Sequence, residues 1–181
     1  MVQSGLKIIL TGYRACGKSL VGRLLAQRFE IDFLDMDKEI EARAGCTINE
    51  MVAQHGWPFF REREQQLLAE LVTRDRLVVA TGGGAIMHEE IWQQLQATGL
   101  VVWLRADTET IAARLAGDVA TAGQRPSLTG DSVVREIETV LAERTPLYKK
   151  GSHLAIDTGS RTPEQIVELV ATALNSTTSN H

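Results

Sequence analysis

The run Leu6-Lys7-Ile8-Ile9-Leu10-Thr11-Gly12-Tyr13-Arg14-Ala15-Cys16-Gly17-Lys18-Ser19 decides the fold of this chain. Its first part, Leu6 to Leu10, is a short, largely apolar run of the kind that forms a buried strand, and Thr11-Gly12 closes it. Its second part has the spacing Gly-x-x-x-x-Gly-Lys-Ser. From Gly17 onward, Leu20, Val21, Leu24, Leu25 and Phe29 recur at helical spacing, so the glycine loop joins a strand to a helix. Glycines let the backbone turn tightly and aim successive N–H groups into the hollow of the loop. The helix N-terminus adds its partial positive charge. Such a loop suits the phosphates of ATP, with Lys18 as a mobile charge for the β- and γ-phosphates and the Ser19 hydroxyl as a Mg²⁺ ligand. Gly12 to Leu20 are therefore expected to form the nucleotide cradle. Cys16 has two readings: a thiol acidified by the helix N-terminus, or a small residue that fits.

Outward from this loop the pattern repeats. Asp32–Leu34, Leu77–Ala80, Leu100–Leu104 and His153–Ile156 are further short strand candidates. Helical periodicity lies between them, including Arg61–Val72, Thr108–Leu115, Val133–Leu147 and Gln165–Leu174, with breaks at Gly45 and Gly56-Trp57-Pro58. Apolar strands alternating with helices predict an α/β fold whose parallel sheet is covered on both faces. The length of 181 residues suits one domain, here 1–175, followed by a polar tail over 176–181.

Composition narrows the partners. A formal net charge of −4 speaks against a global electrostatic grip on nucleic acid or an anionic membrane. No apolar stretch approaches the roughly 18 residues of a membrane span, and Met1 to Leu10 lacks the features of a signal peptide. Cys16 and Cys46 have no zinc-type spacing and read as reduced thiols. A cytoplasmic protein is expected.

The loop needs a metal carboxylate, and the strand end at Ala80-Thr81 offers none. Asp35 and Asp37 do; two apart on an extended segment, they would face one site, one for metal and one for an acceptor hydroxyl. They could equally cap the next helix. Thr81-Gly82-Gly83-Gly84 bares the backbone at the carboxyl end of a central strand, where ligands bind in open α/β sheets; a flexible turn is the plainer reading. Arg61 and Glu64 form either a surface pair or a carboxylate clamp oriented by Glu64, and Arg144 is either solvated or a second clamp. Residues 117–130, around Arg125-Pro126, lack periodicity and read as a surface loop or as a lid that excludes water from a transferring phosphoryl group. No histidine has a metal-ligand partner at usable spacing, and none is given a role.

Taken in register, six elements from Lys7 to Leu174 resemble the shikimate kinase family of P-loop proteins. They are the glycine loop, Phe33-Leu34-Asp35-Met36-Asp37, Phe60-Arg61-x-x-Glu64, Ala80-Thr81-Gly82-Gly83-Gly84, Arg125-Pro126, and Arg144-x-Pro146-Leu147-Tyr148. The resemblance implies a three-layer P-loop fold with a five-stranded parallel sheet of order 2-3-1-4-5, a mobile lid, and transfer of phosphate from ATP to the 3-hydroxyl of shikimate. It implies that Asp37, Arg61, Gly82, Gly83 and Arg144 hold the substrate, Ser19 and Asp35 the metal, and Lys18, Asp37 and Arg125 the reacting groups. It places Arg114 and Arg161 beside the adenine. A monomer acting on a small molecule is expected, with no nucleic-acid or membrane partner. Two departures are visible: Ala15 stands where many relatives carry glycine, and the stretch from Arg114 to Arg125 is longer than in some relatives. A kinase of another small acceptor, such as gluconate or a nucleoside monophosphate, shares the loop. So does a nucleotide-binding regulator without catalysis.

Overall fold

The computed structural model of the chain describes residues 5–117 and 132–178. Five strands, β1 (Lys7–Thr11), β2 (Asp32–Asp35), β3 (Leu77–Ala80), β4 (Leu100–Arg105) and β5 (Leu154–Asp157), form one sheet. Every pairing is parallel and the spatial order is β2-β3-β1-β4-β5, as the resemblance implied. The helices are α1 (Lys18–Phe29), α2 (Met36–Ala44), α3 (Ile48–Val72), α4 (Glu89–Gln96), α5 (Thr108–Gly117), α6 (Val133–Lys150) and α7 (Pro163–Thr178).

Side chains alternate across a strand, and the core shows it directly. Ile9, Val79, Val101 and Trp103 pack with α3 and α4 on one face. Ile8, Leu10, Val78, Val102, Leu104 and Ile156 pack with α1, α6 and α7 on the other. Strands buried on both faces must be apolar throughout, which is why their runs are continuous in the sequence.

The helix boundaries have local causes. Thr47 and Glu50 form a capping box at the start of α3, each satisfying a backbone N–H of the other. Gly56, at φ 80°, interrupts α3 two residues before Pro58, at the break the sequence shows. The C-terminal helix runs to Thr178, into the stretch expected as tail from 176. Gly117 ends α5. The rest of the expected lid, Arg125 included, lies outside the described residues.

Candidate active site

The loop after β1 is shaped by backbone conformation. Gly12 has φ +138°, and a Cβ there would collide with the Leu104 carbonyl oxygen; Gly17, at φ +87°, is the N-cap of α1. Ala15 is the exception. At φ 60° it holds a left-handed conformation that glycine adopts freely and alanine adopts at a cost. Its carbonyl oxygen accepts a hydrogen bond from Arg114 Nη1 at 3.2 Å, and Arg114 also donates to Thr158 Oγ1 and O. Arg114 thus ties the loop to the end of β5. Arg161, expected near it, is exposed and donates to Asp157 O at 2.9 Å.

Lys18 Nζ reaches back over the loop and donates to the carbonyl oxygens of Gly12 and Tyr13, both at 2.7 Å. Ser19 Oγ donates to Asp35 Oδ2 at 2.5 Å, so the expected metal pair does meet. Cys16 departs from its acidified reading. It is 1% exposed, and burial pushes its thiol pKa up, outweighing the lowering by Lys18 and Arg114. Its side chain belongs to the core.

The expected extended Asp35–Asp37 geometry also needs correction. Strand β2 ends at Asp35, whose Oδ1 accepts from the backbone N–H of Asp37 (3.2 Å) and Lys38 (3.4 Å) as the N-cap of α2. Asp37 is therefore in the first helical turn. The capping and metal-facing readings of Asp35 hold together, because its two oxygens divide the work. Both aspartates still line the nucleotide groove, since the helix starts beside the loop.

A second cavity adjoins this groove, and Arg14, Asp37 and Ile48 line both. It is walled by Trp57, Phe60 and Arg61 from α3, by Gly82, Gly83 and Gly84 after β3, and by Arg144 from α6. The three glycines have a structural reason beyond ligand approach. A Cβ on Gly82 would lie 2.6 Å from Glu64 Oε1, and one on Gly84 would lie 2.6 Å from Arg61 Cζ. The bare backbone is what allows α3 to lay this charged pair against the strand end. Arg61 Nη1 donates to Glu64 Oε2 at 2.6 Å, and Glu64 is 1% exposed, so this is no surface pair. Arg144 is buried, and Tyr148 Oη, one turn on, donates to Gly83 O at 2.6 Å. Burial drives the Tyr148 phenol upward, which keeps it a donor.

Two contacts escaped sequence reasoning. Arg14 was assigned to the loop alone, yet it lines the second cavity and pairs at 2.5 Å with Glu136, a buried residue of α6. His88 Nε2 lies 3.0 Å from Glu64 Oε2. Separations of 122 and 24 residues give neither pair a local signal. Among the described residues no helix is long and apolar enough to cross a membrane.

A cradle for phosphates beside a small cavity lined by three arginines and an aspartate is the setting for phosphoryl transfer to a small anionic acceptor. The family model for shikimate kinase matches residues 14–175 of this chain. A shikimate kinase of Rhodopirellula baltica is 42% identical over 166 residues, covering 92% of this chain and 89% of that protein. Another, of Nitratidesulfovibrio vulgaris, is 45% identical over 146 residues, covering 81% and 83%. The solved shikimate kinase from Acinetobacter baumannii in complex with shikimate has a TM-score of 0.87 at 33% identity, covering 95% of this chain and 94% of that one. With the match running from within the loop through the glycine turn and the helices that carry Arg61 and Arg144, the chain belongs to the shikimate kinase family.

Proposed function

We propose that this chain transfers the γ-phosphate of ATP to the 3-hydroxyl of shikimate, giving shikimate 3-phosphate and ADP. The observation that carries the proposal is the second cavity: Arg61, Arg144 and the Gly82–Gly84 backbone converge there, and it meets the nucleotide groove at Asp37. Shikimate is bound by the Acinetobacter relative. A ring carrying one carboxylate and three hydroxyls suits this wall, with guanidinium forks for the carboxylate and Asp37 for the reacting hydroxyl.

In this reading Asp37 orients the 3-hydroxyl toward the γ-phosphorus and accepts its proton as the new O–P bond forms and the bond to ADP breaks. Lys18 exchanges its carbonyl partners Gly12 and Tyr13 for phosphate oxygens, which are stronger acceptors. Arg61 and Arg144 hold the carboxylate, Gly82 and Gly83 line the ring, and Arg125, carried over from the family motif, adds charge from the lid over 117–130. Arg114 and Arg161 flank the adenine. A hydroxyl and a carboxylate oxygen placed together, with remaining positions left to phosphates and water, form a donor set that fits Mg²⁺. Ser19 and Asp35 would hold the ion, which neutralises charge on the phosphates when bound. We further propose a monomer working in the cytoplasm, as one domain over 1–175, with no nucleic-acid or membrane partner.

The test is a coupled assay of ADP release with Mg²⁺-ATP. Release that depends on shikimate, and is absent with gluconate or a nucleoside monophosphate, is the expected result. Release with one of those acceptors instead would replace the substrate, and ATP binding without release under any acceptor would make the chain a regulator.

A further inference from the structure

His88 closes the single-turn 3₁₀ helix Ala85–Met87 that follows the glycine turn, and its backbone begins α4. Its Nε2 lies 3.0 Å from Glu64 Oε2, the same oxygen that accepts from Arg61 Nη1 at 2.6 Å. A carboxylate accepts only, so Nε2 must carry the proton. Glu64 is almost fully buried, and its Oε1 has no hydrogen-bond partner among the described residues; it lies where a Cβ on Gly82 would be 2.6 Å away, in the wall of the acceptor cavity.

Two donors on Oε2 fix the carboxylate in the orientation that turns Oε1 toward the cavity. Arg61 cannot do this alone. It is only three residues away on the same helix and about a quarter exposed, so the pair could rotate outward together. His88 comes from a different element, the turn that follows β3 and the glycines, and anchors Glu64 to the sheet end. We infer that His88 is a positioning residue for acceptor binding: by holding Glu64, it presets Arg61 and Oε1 before the acceptor arrives. It touches no reacting atom. The inference rests on the acceptor reading above.

Three variants separate this role from a structural one. His88→Gln can place an amide N–H near the position of Nε2, whereas His88→Asn is too short to reach Glu64. Asn is nonetheless a favoured N-cap, and His88 caps α4 with no side-chain bond, so Asn should not weaken the start of that helix. His88→Ala removes both properties. For the Asn and Ala variants we expect the acceptor KM to rise about tenfold, the scale of one lost hydrogen bond to a charged group. The kcat and the KM for ATP should stay within about twofold, and His88→Gln should recover most of the acceptor KM. The Asn variant should melt only a few degrees below wild type, the cost of one donor lost from a buried carboxylate, and His88→Gln should recover it. Unchanged acceptor KM in all three variants overturns the inference. So does a parallel loss of kcat, both KM values and melting temperature that Gln fails to rescue, because that pattern is structural. Wild-type protein inactive on shikimate would instead sink the acceptor reading itself, which the same assay registers first.

Discussion

Ala15 sits at φ 60° inside the loop, and the cost of a side chain in that conformation is about 1 kcal/mol. The identity of the residue was legible in the sequence as a departure from the family. Its consequence was not, because the φ angle is imposed by the closure of the loop around Gly12 and Gly17. Ala15→Gly should relieve the strain and, net of glycine's greater unfolded-state entropy, raise the melting temperature by no more than about 2 °C. A lower melting temperature would mean that the Ala15 methyl is worth more than the strain. Cys16, the next residue, teaches the reverse lesson: a position beside a helix N-terminus suggests a reactive thiolate, but burial raises the thiol pKa and removes access. With an aromatic disulfide reagent at neutral pH, the half-buried Cys46 should react in the native protein and Cys16 only on unfolding. Rapid labelling of two thiols would contradict the burial of Cys16.

At the scale of elements, the strands were legible because burial on both faces forces continuous apolar runs, and the breaks at Gly45 and Gly56 because glycine marks left-handed backbone. The start of α2 was not. Asp35 to Asp37 reads as extended, and only the cap made by Asp35 shows where the helix begins. Long-range pairs such as Arg14 with Glu136 have no sequence signature, since the fold alone joins their elements. The start of α3 permits a test with a definite sign. The Glu50 carboxyl is held below its ordinary value first by the backbone N–H of Thr47 and then by its hydroxyl. A carboxyl whose folded pKa is depressed binds protons more readily in the unfolded chain. Its contribution is therefore full above the ordinary carboxylate value and disappears as the pH falls through the folded one. Thr47→Ala should lower the melting temperature at pH 7, and the gap to wild type should narrow as the pH drops below about 4. A gap that stays constant with pH would show that the box adds nothing beyond the threonine cap.

For the whole molecule, parallel strands give the sheet two unlike edges. The carboxyl edge carries the loop after β1, Asp35 at the end of β2 and the glycine turn after β3, which is where ligands bind in open α/β sheets. The amino edge is braced by Lys7, at the start of β1 and 1% exposed. Its ammonium donates to Leu71 O at 2.9 Å, Val72 O at 3.0 Å and Thr98 Oγ1 at 3.0 Å, joining the last turn of α3 to the loop before β4. Cations at a helix C-terminus also answer its dipole. Burial lowers the Lys7 pKa, the desolvation cost that these three acceptors offset. Stability and chemistry are thus borne at opposite ends of the same strands, and two substitutions should separate them. Lys7→Met leaves buried acceptors without their donor, at a cost of about 2 kcal/mol. The melting temperature should fall by about 4–8 °C while kcat and both KM values stay within about twofold. Asp37→Asn, at the other edge, should lower kcat by about 10²- to 10⁴-fold with a melting temperature near wild type. Measuring melting and steady-state kinetics on both variants checks the division. A Lys7→Met protein that melts normally would remove the brace, and an Asp37→Asn protein that turns over normally would remove the carboxylate from the reaction.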